Sequence, residues 1–230
     1  MEKKTGTNQS IRGQHPNSVT VSASFLLHSS SVLGLAITYW VAQNFFSINL
    51  ISNPTQTLIF LWVVQSPILI LLYSLLRQDP QQCSYGKAVG RGIIGLPIGA
   101  LIMAFCGVML GAPFGIQDLG KTVNWSLLMS LFSIVPTACV FGSSCKDWLR
   151  IFAHTQPGGV IDIIICVPSH GALLGAWFGA WPMPLDWERQ WQEWPVCVSY
   201  GAVAGYLIGI VASLGFVLVF GERRELVKEE

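Results

Sequence analysis

Six stretches of near-continuous apolar residues dominate this sequence, and each is long enough to cross a bilayer, which takes about 20 helical residues. They lie near residues 25–46, 57–76, 92–111, 124–142, 163–181 and 196–220. None of the six contains Asp, Glu, Lys or Arg. One charge at the centre of a span costs about 3 kcal/mol on the insertion scale, roughly what six leucines contribute. The pattern therefore predicts an all-α protein, a six-helix transmembrane bundle.

The composition excludes a soluble domain and several classes of site. Hydrophobic residues make up 52% of the 230 residues and charged residues 11%, whereas soluble domains carry about 25% charged residues. A net charge of +1, without basic clusters interleaved with aromatics, gives no reason to expect a nucleic acid partner. The six cysteines are dispersed and lack the paired spacing of a disulfide framework or a metal site.

The basic residues predict how the bundle is oriented. Eleven of the 13 Lys and Arg lie in the two tails and in the second and fourth connections, and only Lys121 and Arg189 lie on the other side. Because cytoplasmic loops carry the excess of positive charge, both termini are predicted to be cytoplasmic. Residues 1–24 would then form a polar, disordered tail and residues 221–230 a charged one. The connection 182–195 would face the lumen or the exterior.

Glycines recur every fourth residue in the last two spans. Four-residue spacing places them on one helix face, where the missing Cβ lets a neighbouring backbone approach closely. We therefore expect the two spans to form an antiparallel hairpin that packs along its glycines. The helix-packing candidates are Gly171, Gly175 and Gly179 in the fifth span and Gly201, Gly205 and Gly209 in the sixth.

The connection between these spans, residues 182–195, is a polar loop rich in tryptophan with the sequence PMPLDWERQWQEWP. Its pattern predicts a short helix, with Asp186 placed to cap it and Arg189 placed to pair with Glu193. Three tryptophans would share one face of that helix: Trp187, Trp191 and Trp194.

Two functions of this loop remain open from the residues alone. Tryptophans settle at the membrane interface, so the loop could be an anchor. Indoles also provide binding surfaces for partners and for polar headgroups, and an anchor needs neither prolines at both ends nor a charge pair. The candidate residues for a surface facing a partner or a glycolipid are Pro184, Asp186, Trp187, Glu188, Arg189, Trp191 and Trp194.

Other polar and helix-bending residues have simple explanations. His170 is expected to be a hydrogen-bonded residue of the bundle, and Asp162 to favour the positive end of the fifth helix. The segment 145–152, CKDWLRIF, is typical of a cytoplasmic interfacial belt. Prolines inside spans are ordinary, although they also fit a bent bundle with a cavity for a lipid; they are Pro67, Pro97, Pro136 and Pro168.

The chain lacks the motifs of a self-sufficient enzyme. It contains no H-x-E, H-E-x-x-H, D-x-x-D or G-x-S-x-G arrangement and no phosphate-binding glycine loop. No catalytic residue, metal ligand or cofactor site is therefore predicted. These absences favour a role in recognition rather than catalysis. The alternative is a small lipid transporter or scramblase, and a standalone lipid transferase is disfavoured by the missing ligands.

The second half of the sequence, from 108 to 209, resembles the class F family of phosphatidylinositol-glycan (GPI) anchor biosynthesis proteins. The D-W-E-R-x-W core at 186–191 carries most of the resemblance, although Gln190 stands where many members have proline. Other matching residues are Gly111-Ala112-Pro113, Lys146, Trp148-Leu149-Arg150, Phe152, Gly175-Ala176-Trp177, Gly179-Ala180, Pro182, Pro184-Leu185 and Trp194-Pro195.

This resemblance implies a multi-span protein of the endoplasmic reticulum, an accessory subunit of a membrane-bound transferase without catalytic residues of its own. Its partner would be a larger transferase subunit with a lumenal metal-dependent site, which adds ethanolamine phosphate to mannoses of the GPI precursor, the third and also the second. Phosphatidylethanolamine would be the donor, and the precursor would lie nearby in the membrane.

Overall fold

The computed structural model describes residues 20–78 and 80–229, with side chains as far as residue 219. That part of the chain contains seven α-helices and no strand. The six long apolar helices are α1 Val21–Asn44, α2 Pro54–Leu75, α3 Tyr85–Met109, α4 Leu119–Phe141, α6 Val160–Ala180 and α7 Val196–Glu229. The short α5, Cys145–Trp148, continues into a π-helical turn, Leu149–Ala153. All six long helices are apolar enough to cross a membrane, which confirms the predicted fold class.

The two predicted tails are only partly covered by this description. Residues 1–19 lie outside the described residues. Helix α1 begins directly after Thr20, whose hydroxyl accepts a hydrogen bond from the Ala23 N–H at 3.3 Å. At the other end, the backbone of α7 continues as a helix to Glu229 and so includes all the described residues of the predicted charged tail.

Helix α4 lies at the centre of the bundle. In the most apolar 18 residues of α4, 83% of the residues are buried within the protein, whereas in the other five long helices the corresponding share is between 33% and 50%. It packs against α2, α3 and α6. Its buried hydroxyls hydrogen-bond to backbone carbonyls, as when Ser130 donates to Leu96 O of α3 at 2.9 Å and Ser133 to Met129 O at 2.6 Å. A polar group buried in a membrane bundle needs such a partner.

Helices α3 and α4 pack closely because glycines of α3 face side chains of α4. A Cβ added to Gly95 would lie 2.9 Å from the Cβ of Ala138, and one added to Gly107 would lie 3.0 Å from the indole of Trp125. Each of the four proline-containing helices runs through its proline as one continuous element.

Polar contacts connect α1 to its neighbours. His28 Nε2 lies 3.1 Å from Ser213 Oγ of α7, and the Gln65 amide of α2 donates to Ser31 O at 3.0 Å. All four side chains are fully buried. Hydrogen bonds between membrane helices contribute about 0.6–2 kcal/mol each, so these contacts help to fix α1 against α2 and α7.

Candidate functional site

The backbones of α6 and α7 touch along the glycines of the last two spans. A Cβ added to Gly175 would lie 2.8 Å from the Cα of Gly205, and one added to Gly205 would lie 2.8 Å from the Cα of Gly175. Any side chain at either position would clash, so only glycine permits this separation of the helices. We call this antiparallel pair the glycine hairpin. The other predicted packing glycines also face backbone atoms of the opposite helix: Gly171, Gly179, Gly201 and Gly209.

A long groove of about 980 Å³ lies on the outer side of the glycine hairpin. Glycines and small residues such as Ala204 and Ala212 line its floor, and the lining is almost entirely apolar. His170 is the ionisable histidine of this lining and is half-buried. The large side chains along the groove are more than half exposed: Leu174, Phe178, Ile208 and Phe216.

The tryptophan loop, residues 182–195, consists of turns and one short 3₁₀ turn, Gln190–Gln192. The predicted short helix with three tryptophans on one face is therefore wrong. Glu188, which that helix would have placed in its first turn, has a φ of +49° and is left-handed. Among the side chains that the structure describes, no ion pair joins Arg189 to Glu193.

Gln192 organises the tryptophan loop through hydrogen bonds to its backbone. Its Oε1 accepts from the Arg189 N–H at 2.9 Å, and its Nε2 donates to Pro182 O at 2.7 Å and to Leu185 O at 2.9 Å. The side chain is buried. Local bonds of this kind compete with helix formation, which explains why the helical spacing of the tryptophans misled the prediction.

The loop tryptophans divide into one anchor and one exposed pair. The indole N–H of Trp194 donates to Thr122 Oγ1 at 3.0 Å, and its ring lies 4.9 Å from that of Trp125, so it fastens the loop to the start of α4. Trp187 is 56% exposed and Trp191 36%, with ring centroids 6.1 Å apart. The candidate binding surface therefore contains the indoles of Trp187 and Trp191, because that of Trp194 packs against α4 of the same chain.

The remaining candidate residues of the loop lie at its surface. Pro184, Asp186, Glu188 and Arg189 are all exposed. The last three also line a shallow cavity of about 460 Å³. Asp186 lies in a bend of the loop and has no helix to cap, since the predicted helix is absent from the described loop.

Thr122 connects two of the segments that carry the family resemblance. Its hydroxyl donates to Pro113 O at 2.6 Å while it accepts from the Trp194 indole. The Gly111–Pro113 segment, in which Gly111 has a φ of +103°, is thereby linked to the end of the tryptophan loop. Sequence patterns did not predict this link, because a threonine at the start of a span has no distinguishing pattern.

At the opposite ends of the helices, Arg150 pairs with Asp162 in the first turn of α6. Its Nε lies 2.9 Å from Oδ2, its Nη2 donates to Oδ1 at 3.0 Å, and its Nη1 lies 2.6 Å from Asp147 Oδ1. Gly158 N–H also donates to the Asp162 carboxylate at 2.8 Å. Partial burial opposes the charge on Arg150, but the two carboxylates outweigh burial and raise its pKa. Asp162 therefore does more than favour the helix N-terminus, and the 145–152 segment is more than an interfacial belt.

His170 makes the expected hydrogen bond inside the bundle. Its Nδ1 lies 2.8 Å from Cys166 O. A carbonyl oxygen can only accept, so Nδ1 carries the proton and Nε2 is left as an acceptor. The ring of Phe152, from the π-helical turn, lies 6.0 Å from the His170 ring. Between residues 20 and 219, with residue 79 left aside, no three His, Cys, Asp or Glu side chains are grouped as metal ligands.

Comparison with known proteins places this architecture in a family. A protein from Mus musculus and one from Homo sapiens, both named "GPI ethanolamine phosphate transferase, stabilizing subunit", are each 38% identical to the chain over 106 residues, which is 46% of this chain and 48% of theirs. The match thus spans about half the length of these relatives. A "PIGF/3-ketodihydrosphingosine reductase fusion protein" from Schizosaccharomyces pombe is 31% identical over 188 residues, 80% of this chain and 36% of the relative. No solved structure matches.

The family profile covers the glycine hairpin, the tryptophan loop and most of the remaining bundle. It matches residues 32–214, which include four of the six long helices in full and more than half of both α1 and α7. With a match over more than half of its length, the chain belongs to the GPI biosynthesis protein family Pig-F.

Proposed function

We propose that this chain is the non-catalytic, stabilising subunit of ethanolamine-phosphate transferase complexes in the endoplasmic reticulum membrane. The complexes transfer ethanolamine phosphate to mannoses of the GPI precursor, the third and also the second. The catalytic site lies on a larger partner subunit. The observation that carries the proposal is membership of the Pig-F family, together with the name of the mouse and human relatives as stabilizing subunits.

The close packing of the glycine hairpin favours a role in holding the tryptophan loop in a fixed position. The backbones of its two helices are in contact from the end at the loop, where Gly179 meets Cys197, as far as Gly209 and Pro168, so the ends of the tryptophan loop have fixed positions. The loop is further fastened by Gln192 and by the bond from Trp194 to Thr122. A surface that is ordered before binding loses less entropy when a partner binds it.

The exposed indoles are the part of the loop proposed to contact the partner. Trp187 and Trp191 have apolar area to bury, and tryptophan is enriched among residues that dominate binding energy. Asp186, Glu188 and Arg189 surround them with charges of both signs, which suits a polar rim. We propose that this surface supports the lumenal domain of the transferase or contacts the glycan of the precursor.

Affinity purification of the tagged full-length chain from gently solubilised membranes tests the proposal. The large transferase should be recovered with it, and loss of the chain should lower transferase abundance, because binding of a partner to the folded state stabilises that state. The purified chain alone should transfer no ethanolamine phosphate. Transfer by the chain alone, or normal transferase levels without it, would contradict the proposal.

The lipid transporter or scramblase gains no support from the family or from the names of the relatives. A measurement of lipid translocation by the purified chain in vesicles separates it from the proposed function. We expect the same rate as in vesicles without protein.

A further inference from the structure

We infer that the groove of the glycine hairpin binds a transmembrane helix of the partner transferase, one with a hydrogen-bond donor at mid-membrane depth. This inference rests on the proposed function and adds the place of contact. It is argued from the length of the groove, from its lining and from the position of His170.

The groove extends across the full thickness of a membrane. Its lining begins at Thr155 and Pro157, before α6, and ends at Gly179 and Gly201, beside the tryptophan loop. Helix α6 has 21 residues, which at 1.5 Å per residue make about 30 Å, the thickness of the hydrocarbon core. A phospholipid occupies one leaflet, about half of that length, whereas a helix that crosses the bilayer fills all of it.

The shape of the groove fits a helix surface. Its lining contains six glycines and two alanines, and the large side chains of Leu174 on α6 and Ile208 on α7 stand on either side. A row of side chains on a third helix can enter such a channel as ridges enter grooves. Contacts between membrane helices depend on this close packing of small residues, because lipid is as apolar as the helices themselves.

His170 favours a protein occupant over a lipid. It lies near the middle of α6 and lines the groove. Its Nδ1 donates to Cys166 O, so Nε2 is an acceptor. Within the described residues, Nε2 has no hydrogen-bond partner. Lipid has only hydrocarbon at this depth, where an unsatisfied acceptor is costly. A helix that carries a serine, threonine, asparagine or glutamine there supplies the missing donor.

Filling the groove without disturbing the hairpin tests the inference. Ala204 and Ala212 line the groove and are exposed, so Ala204→Phe or Ala212→Phe places a ring in the channel while the glycine contacts stay intact. Recovery of the transferase with the tagged chain should fall by about tenfold, which corresponds to about 1.4 kcal/mol. The matched control is Val211→Phe, because Val211 neighbours Ala212, is 71% exposed and does not line the groove.

The outcomes separate this inference from the proposed function. If the unmodified chain recovers no transferase, the proposed function fails. If the unmodified chain recovers the transferase, and Ala204→Phe and Ala212→Phe recover as much of it as Val211→Phe does, only the groove inference fails. The melting temperature of each variant shows whether the chain is still folded.

If Ala204→Phe and Ala212→Phe do not fold, crosslinking from a photo-reactive phenylalanine at position Ile208 tests the inference independently. Ile208 lines the groove and is 69% exposed, and Leu101 on α3 is a control that is 73% exposed. Irradiation should link the probe at Ile208, and not at Leu101, to the transferase. Adducts with lipid only, or equal adducts from both positions, would overturn the inference.

Discussion

Arg150 and Asp162 are twelve residues apart in sequence, and their charged groups meet with Nε 2.9 Å from Oδ2. The contact joins the π-helical turn after α5 to the first turn of α6. Asp162 is buried at the end of a membrane-spanning helix, where an unpaired carboxylate would be costly. Arg150 removes this cost and also closes the connection that precedes the glycine hairpin.

Removal of this ion pair should lower stability. Arg150→Gln leaves Asp162 without its cation and should cost about 1.5–3 kcal/mol, as is usual for hydrogen bonds to charged groups. Thermal unfolding of the purified chain in detergent measures this loss. As a control, Lys121→Gln breaks the pair with Asp118, whose side chain is 35% exposed where that of Asp162 is 8% exposed, and should cost about 0–1 kcal/mol. Equal effects of the two variants would contradict this account.

The glycine hairpin should not accept even one methyl group. In Gly175→Ala the new Cβ meets the Gly205 Cα at 2.8 Å, and such overpacking costs about 1–3 kcal/mol. Gly215→Ala on α7 is the matched control, because nothing lies within 4 Å of its Cβ position. Melting temperatures in detergent should fall for the first variant and stay unchanged or rise slightly for the second. A stable Gly175→Ala chain would refute the backbone contact.

The tryptophan loop should open when Gln192 is shortened. Gln192→Ala removes three hydrogen bonds, and trypsin should then cleave after Arg189 about tenfold faster, equivalent to about 1.4 kcal/mol of easier opening. Gln190→Ala, at an exposed position of the same loop, should leave the rate unchanged. Time courses on sealed and opened membrane vesicles give the rates. A rate that does not respond to Gln192 would mean that its bonds do not order the loop.

The exposed tryptophans of the loop and the half-buried Trp194 should differ in their effects. Replacing Trp187 and Trp191 together by Ala should impair transfer of ethanolamine phosphate and leave membrane insertion and melting temperature unchanged, since both rings are exposed. Trp194→Ala should instead destabilise the chain by about 3–5 kcal/mol, because its ring packs on Trp125. Transfer assays and thermal melts separate the two effects. Loss of insertion in the double variant would favour a plain membrane anchor.

The predicted orientation can be tested with glycosylation sites. Asn8 begins an Asn-x-Ser acceptor in the N-terminal tail, and a cytoplasmic tail should leave it unmodified. An acceptor on a flexible linker inserted after Pro184 should be glycosylated, because the loop is predicted to be lumenal. A shift in gel mobility that an endoglycosidase reverses detects the glycan. A glycan on Asn8 would invert the topology.

The six spans were predictable because apolar runs free of charge have no other stable place than a bilayer. The ends of the helices were harder to predict, since polar residues can continue a helix beyond the apolar run. Helix α3 begins at Tyr85, before the span predicted from residue 92, and α7 continues to Glu229. Periodicity in hydropathy reports where a helix is buried in lipid and not where its hydrogen bonds stop.

The details of the site depended on contacts that sequence patterns do not encode. The tryptophan spacing predicted a helix, but the bonds from Gln192 fold the segment into turns. The pairing of Arg150 with Asp162 was missed because it crosses a connection between two elements, where residue spacing gives no rule. Glycine spacing, in contrast, depends on helix geometry alone, and the structure brings the facing glycines Gly175 and Gly205 together.

The interlocked backbones of α6 and α7 also have a mechanical consequence. A slide of one residue would bring a side chain against the opposing backbone and would turn the facing surface by about 100°, so the two helices cannot shear past each other. The two helices therefore move together as one rigid unit. A displacement of the tryptophan loop by a bound protein would move the opposite end of this unit as well, where Arg150 pairs with Asp162 in the first turn of α6.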